Sequence, residues 1–375
     1  MDKNKLGIYV HIPFCIKKCN YCDFNSYSGC YDLQEEYFSA LFSEIKIKSA
    51  EYKGCVCDTV YIGGGTPTSV KTSLTARLLE ELYKNFSISE NAEITVECNP
   101  KTAGRADFSV YRSSGINRLS IGMQSADNGL LEVLGRIHKE EDFEKCLFDA
   151  REAGFENISA DLMFALPGQS LENWKNTLLK AVSFGLSHIS CYALKIEKET
   201  PFYNMKLDLP DDDLNGDMYD MCVDILKKNG YERYEISNFA KTGKKSRHNL
   251  KYWSHMPYIG LGAGAYSSLL SERFSNETDL RKYIKEAKNG DFRKKDFVSL
   301  SKNEQMSEFM FMGLRKTEGV SLSEFEESFG VSADKVFEKP IKKYLKSGVL
   351  SAENGRLYIN EKLLYISNSI LCDFV

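Results

Sequence analysis

Three cysteines near the start of the chain, Cys15, Cys19 and Cys22, have the type and spacing for metal chemistry. They lie in the run His11-Ile12-Pro13-Phe14-Cys15-Ile16-Lys17-Lys18-Cys19-Asn20-Tyr21-Cys22, a Cys-x3-Cys-x2-Cys pattern with an aromatic residue before the last thiol. Three thiolates on one tight loop suit three irons of a [4Fe–4S] cube and leave the fourth iron open to a small molecule. A structural zinc site is the plainer alternative. It needs four ligands in paired clusters, which only Cys30, or Cys55 with Cys57, could complete. Tyr21 either packs over the cluster or forms an aromatic wall against the adenine of a bound nucleoside.

Other residues could complete a site around such a cluster. The run Gly63-Gly64-Gly65-Thr66-Pro67-Thr68 exposes backbone amides and carbonyls that could hold the ammonium and carboxylate of an amino acid. It lacks the lysine and glycine spacing of a phosphate loop, and its bland reading is a tight turn with a cis or kinked Pro67. Glu97, Gln124, Arg136 and Asp161 are polar groups at or near strand ends. Ribose hydroxyls suit the carboxylates, and a substrate carboxylate suits Arg136. His248 sits in His248-Asn249-Leu250-Lys251-Tyr252-Trp253, preceded by Lys241, Lys244, Lys245 and Arg247. Its imidazole could ligate an iron, the aromatics could pack on a flat macrocycle, and the cations could meet propionates. The bland alternative is an ordinary core histidine beside a solvated charge run.

The elements that must position these residues alternate along the chain. Leu6–Ile12, Thr59–Gly63, Glu93–Cys98, Arg118–Met123, Ile158–Phe164 and His188–Ile196 read as strands. Between and after them Leu33–Ala50, Leu74–Phe86, Asp107–Ser113, Asp142–Ala153, Leu171–Phe184 and Leu214–Lys228 read as helices. Such βα units in series form a parallel sheet, either flat and doubly wound or curved into a barrel. The special residues collect at the carboxyl ends of successive strands. A barrel points those ends into one basin, so the expected fold is α/β, an open (β/α)6 partial TIM barrel. From about Leu300 the order changes to Glu304–Leu314, Leu322–Phe329, Val336–Ser347 and a hairpin over Val349–Ile359, a small winged-helix-like domain. The expected organisation is a core over 1–235, a connecting region over 236–299 that carries the His248 motif, and the terminal domain over 300–375.

Composition narrows the class. The chain has 375 residues, 42% of them hydrophobic and 27% charged, and a formal net charge of −4. That balance leaves no electrostatic footprint for nucleic acid, and Glu324, Glu326 and Glu327 in the would-be recognition helix argue the same way. Eleven scattered cysteines, with no apolar leader or membrane-length run, fit a reducing cytoplasm.

Taken together, the cysteine loop, the glycine run and the glutamate-ended third strand resemble the radical S-adenosylmethionine (SAM) superfamily. More narrowly, Tyr9–Cys15, Ser120–Ser125, Gly135–His138 and Asp161–Gly168 resemble oxygen-independent coproporphyrinogen III oxidase and its relatives. The true oxidase carries an extra cysteine two positions after the third cluster cysteine, where this chain has Phe24, and a long extension before the cluster. The His-Asn-x-x-Tyr-Trp motif at His248, Asn249, Tyr252 and Trp253 is similar to the signature of the haem-chaperone branch.

The resemblance implies a [4Fe–4S] cluster on Cys15, Cys19 and Cys22, SAM on its open iron, and haem at the His248 motif. By position, Tyr9, Gly64 and Glu97 match contacts to one SAM. Tyr21, Gly65, Thr66, Gln124, Arg136 and Asp161 match contacts to a second in the oxidase, and Ala193 and Tyr266 also align there. Phe24 leaves the second SAM site open. The implied role is a haem chaperone that passes haem to an acceptor protein, a respiratory-chain haem protein being one candidate. A radical SAM enzyme that oxidatively decarboxylates a porphyrinogen is the alternative. No residue is assigned as catalytic. A homodimer and a transient membrane-surface contact are compatible with the reading.

Overall fold

The computed structural model describes residues 5–375; Met1–Asn4, on which part of the expectation of no apolar leader falls, lie outside the described residues. Six parallel strands form the centre: β1 (Lys5–Ile12), β2 (Val56–Gly64), β3 (Ser87–Cys98), β4 (Arg118–Gln124), β5 (Ile158–Phe164) and β6 (His188–Ala193). Helices α1 (Gln34–Lys48), α2 (Thr72–Asn85), α3 (Arg105–Ser113), α4 (Asn128–Val133), α5 (Glu140–Glu152), α6 (Leu171–Ser183) and α7 (Asp212–Lys228) connect them or follow β6. Their starts carry the expected chemistry. Asp127, Ser170 and Asp211 cap α4, α6 and α7 by accepting amides of the first turn.

A period of two in these strands builds the site. In β1, Leu6, Ile8, Val10 and Ile12 are buried beneath the helices, while Tyr9 and His11 alternate with them onto the opposite face. In β2 to β6, Tyr61, Glu97, Arg118, Ser120, Gly122, Gln124, Asp161, Met163, Ser190 and Tyr192 line one cavity. A parallel sheet covered on both faces by helices reads as continuous apolar runs. Here one face is polar, because it encloses a ligand space instead of a packed core. Each fully buried aliphatic side chain on the helix-covered face contributes roughly 1.5–3 kcal/mol.

The sheet is wider than six strands. Among the described residues it has 12 strands, and its parallel part gains β9 (Tyr258–Leu261), which lies beside β1. Antiparallel strands flank both ends: β8 (Asn238–Ala240) and β7 (Glu232–Arg233) beyond β6, and β10 (Tyr266–Leu269), β11 (Glu272–Ser275) and β12 (Lys295–Ser299) beyond β9. The (β/α)6 core is thus present as an open, mixed sheet. Residues 236–299, expected as a connecting region, add strands to that sheet, together with α8 (Arg247–Trp253) and α9 (Leu280–Lys288).

The terminal region has its own hydrophobic core around Met310, Phe325, Ile341 and Leu357. It comprises α10 (Lys302–Gly313), α11 (Leu322–Phe329), α12 (Ala333–Val336), α13 (Glu338–Lys346) and α14 (Ser367–Leu371) with β13 (Val320–Ser321), β14 (Leu350–Glu353) and β15 (Arg356–Ile359). These strands pair antiparallel in the order β13-β15-β14, which completes a winged-helix-like module. No helix among the described residues is long and apolar enough to cross a membrane.

Candidate functional site

The cysteine loop leaves β1 and is pinned at both ends. Phe14–Cys15 pairs with Tyr27–Ser28, and the amide of Tyr27 donates to Pro13 O at 2.7 Å. Inside the loop, Cys22 N donates to Cys19 O at 3.2 Å. All three thiols line a cavity of about 310 Å³. Among the described residues no three His, Cys, Asp or Glu side chains converge on a single-ion site. Three thiols on one cavity suit a cluster, in which each iron takes its own ligand. Two donors approach the sulfurs: Arg136 Nη1 lies 3.6 Å from Cys19 Sγ, and Thr66 Oγ1 3.5 Å from Cys15 Sγ. Burial raises the Cys15 thiol pKa and pushes that of Cys22 up to about 11; metal coordination would supply the deprotonation that burial opposes.

The glycine run seats this loop. A Cβ on Gly64, whose φ is +113°, would stand 2.5 Å from the His11 ring, and one on Gly65 would stand 2.8 Å from Phe14 O. Gly65 N and Thr66 N donate to Ile12 O and Phe14 O at 2.9 and 2.8 Å. Close backbone approach therefore explains the glycines. No described peptide bond is cis, so the cis reading of Pro67 is excluded.

The remaining polar residues of the cavity are held in several small hydrogen-bonded groups. Tyr61 donates to Glu97 Oε1 at 2.9 Å and Gly64 N to Oε2 at 3.1 Å. Burial pushes the Glu97 carboxyl up to about 7. Arg136 also donates to Gly122 O at 3.0 Å and to Asn99 Oδ1, and Asn99 donates on to Thr66 Oγ1 at 2.8 Å. Asp161 accepts from Ser120 at 3.0 Å, and burial raises its carboxyl. Gln124 adopts φ +63° at the end of β4, a left-handed conformation unusual outside glycine and concentrated at functional sites. Tyr21 lines the same cavity. Tyr9 stands one step away, with its hydroxyl 2.9 Å from His11 Nδ1. His11 Nε2 donates to Asn25 O at 2.7 Å; burial lowers the pKa of this ring, and in the neutral form so favoured Nδ1 accepts from Tyr9.

A second and wider basin of about 1240 Å³ opens beside the first, toward the C-terminal module. Phe24, Tyr61, Gly64, Glu97, Tyr192 and Asn249 line both. Pockets of roughly 300–1,000 Å³ enclose drug-sized ligands, so the basin has room for a large flat molecule. Asn249, Tyr252 and Trp253 face it. His248 does not. It is fully buried, with Nδ1 2.9 Å from Thr59 Oγ1 and Nε2 2.9 Å from Tyr252 Oη. Its ring stacks on Tyr61 at 5.3 Å, and its amide donates to Glu93 at 3.0 Å. Burial, then Lys251, lowers its pKa to about 3. The free imidazole expected from the sequence is therefore engaged at both nitrogens, and His248 fastens α8 to the sheet. The basic run lies elsewhere too: Lys241 and Lys245 stand over the rings of Tyr231 and Tyr234, and Arg247 donates to Asn91 O.

Two residues of weight escape the sequence reading. Asn99 joins Arg136 to Thr66, and its only sequence signal is its place directly after β3. Arg315 lies more than 60 residues beyond the His248–Trp253 motif in the chain, yet shares the basin wall with Trp253.

Comparison with known proteins sets the class and then the family. Residues 9–181 match the Radical SAM superfamily and residues 300–362 the HemN C-terminal domain. The structure of Escherichia coli coproporphyrinogen III oxidase (HemN) superposes with a TM-score of 0.87 at 23% identity, covering 98% of this chain and 89% of that one. The fold is thus that of a HemN-like radical SAM protein. The chain is also 37% identical to the heme chaperone HemW of Bacillus subtilis over 98% of both chains. It is 36% identical to that of Lactococcus lactis, over 98% of this chain and 96% of the relative. It belongs to the HemW family.

Proposed function

We propose that the protein is a haem chaperone of the cytoplasm. In this reading it holds a [4Fe–4S] cluster on Cys15, Cys19 and Cys22, binds SAM beside it, and carries haem in the wide basin for delivery to an acceptor protein. The observation that carries the reading is the adjacency of the two cavities. The cavity of the cysteine loop and the basin of the Asn249–Trp253 motif share Phe24, Tyr61 and Glu97 in their walls.

The residues suit those roles. When bound, the cluster supplies an iron open to the amino and carboxylate groups of SAM. Glu97 can hold the ammonium of that amino-acid portion, Arg136 and Asn99 fix the wall beside Cys19, and Asp161 offers acceptors for ribose hydroxyls. In the basin, Tyr252 and Trp253 give a flat macrocycle an apolar platform. Phe24, where the oxidase has a cysteine, places a hydrocarbon ring at the join and favours carriage over porphyrinogen turnover. Eleven unpaired thiols fit a reducing compartment.

Anaerobic reconstitution with iron and sulfide, followed by haem titration with and without SAM, tests the reading. The expected result is a Soret shift that saturates at a fixed haem-to-protein ratio, together with haem transfer to an apo acceptor. In Cys15→Ser the iron–sulfide absorbance is lost. Steady conversion of coproporphyrinogen III to protoporphyrinogen by the reduced protein would overturn it.

A further inference from the structure

The wide basin carries an unfilled set of polar groups. Glu235 Oε1, Asn238 Oδ1, Trp253 Nε1, Arg315 Nε and Ser367 Oγ are buried on its wall and have no hydrogen-bond partner. Folded proteins leave few such atoms, because each forfeits its hydration without replacement. Glu235 and Ser367 are each 1% exposed, so bulk water does not reach them freely.

Three of the five can donate: the indole N–H of Trp253, the Nε–H of Arg315 and the hydroxyl of Ser367. They come from separate elements that meet where the core faces the C-terminal module. Trp253 ends α8, Arg315 follows α10, and Ser367 opens α14. The Arg315 guanidinium stands 5.7 Å from the Trp253 ring centre, and its Nη2 donates to Asn368 Oδ1 at 3.2 Å. The fork is thus held in place with Nε unspent. Among the described residues Arg315 forms no salt bridge, whereas Lys195, the other long cation on this wall, is paired with Glu197. Burial pushes the nearby Glu235 carboxyl up to about 7, which weakens its claim on the guanidinium. A guanidinium, an indole N–H and a hydroxyl converging at one seam complement a planar anion with several lone pairs, which is a carboxylate.

We infer that this seam is a carboxylate-reading subsite. Arg315, with Trp253 and Ser367, receives an anionic side group of the macrocycle and thereby fixes which edge of the ligand enters beneath the C-terminal module. The inference rests on the haem reading above. It gives the ligand's propionates the partner that the run Lys241–Arg247 does not supply.

Haem and haem dimethyl ester differ only in whether those carboxylates are free. Each is titrated into the reconstituted wild-type protein and into Arg315→Met and Ser367→Ala, followed by the Soret band, with thermal unfolding of each apo variant alongside. Wild type is expected to bind haem roughly 10- to 100-fold more tightly than the ester, the range for charge-assisted hydrogen bonds. Arg315→Met is expected to bind both alike, and Ser367→Ala to lose part of the discrimination, about 3-fold or more. Because Ser367→Ala removes an unpaired buried hydroxyl, its unfolding midpoint should hold or rise. It therefore decides the matter if Arg315→Met fails to fold. Equal wild-type affinity for haem and ester, or full discrimination in both variants, overturns the subsite and leaves the haem reading standing. Absence of any Soret response to either ligand in wild type removes the haem reading and the subsite together.

Discussion

The cavity beside the three cysteines and the basin beneath the C-terminal module share a wall but hold their polar groups differently. On the cysteine side, Glu97 is held by Tyr61 and Gly64, and Asp161 by Ser120. Arg136 is held by Asn99 and Gly122, and one atom on that wall, Arg118 Nε, is unpartnered. The basin wall carries five. A site whose donors and acceptors already hold one another is pre-organised and spends little on binding a small, defined ligand. A wide space with unsatisfied rims loses stability when empty and regains it when a ligand arrives. The difference fits a resident cofactor on one side and a cargo that must come and go on the other.

The sharpest way to break this comparison is His248, which the structure puts with the bonded framework and the sequence puts with the cargo. His248→Ala removes a buried ring, strands Thr59 and Tyr252, and loosens α8 from β2. The expected cost is about 3 kcal/mol, combining a cavity with unpaired hydroxyls. It is measured as a fall in the denaturation midpoint of the apo protein. Loss of haem affinity should accompany that fall through the displaced platform. An unchanged midpoint with an abolished Soret response would instead make His248 a direct iron ligand that turns out of the core.

A smaller effect separates the two sides by pH. The carboxyls of Glu97, at the join, and Glu235, in the basin, are both pushed by burial to about 7, against an ordinary value of 4.5. A raised carboxyl keeps its proton longer in the folded state. Stability is therefore full below pH 4.5 and is lost as pH rises toward 7, then stays level. Glu97→Gln removes one of the two slopes. Between pH 4 and pH 8 the apo variant should therefore lose less stability than wild type does, by on the order of 1–3 kcal/mol, read by urea unfolding of both proteins at both pH values. Ligand binding runs the other way in wild type. An ionised Glu97 attracts the SAM ammonium, so SAM affinity should rise through pH 7 and lose that dependence in Glu97→Gln.

How much of this was legible in the sequence follows from how local each signal is. The six parallel strands and their helices were legible because period-two and period-3.6 patterns are written in consecutive residues. So was the terminal module, whose helices and hairpin carry the same local marks. Strand β9 was not. Tyr258–Leu261 lies in a glycine-rich stretch, and only its placement beside β1 makes it a strand. At the site, Cys15, Cys19, Cys22, Tyr21, Gly64, Gly65, Thr66, Glu97, Gln124, Arg136 and Asp161 do line one cavity, as strand ends in a curved sheet should. The state of His248 depends on Thr59, which is 189 residues away. The choice of Arg315 over Lys241–Arg247 depends on which module covers the basin, a tertiary fact with no local trace.

The mildest test lies at Phe24, which lines both cavities and is 59% exposed. So exposed a ring contributes little to folding, and Phe24→Ala should leave the unfolding midpoint within about 0.5 kcal/mol of wild type. If the ring packs on the cargo, truncation removes an aromatic contact of about 1 kcal/mol, and the haem dissociation constant should rise roughly 3- to 10-fold. SAM affinity should stay level, because the cysteine-side hydrogen bonds of Glu97, Tyr61 and Arg136 include none to the Phe24 side chain. Paired titrations of haem and SAM on this one variant therefore ask whether the two cavities work independently across their shared wall. A parallel loss of both affinities would mean that Phe24 shapes the cysteine side as well, and that the contrast between a resident and a visiting ligand stops short of the join.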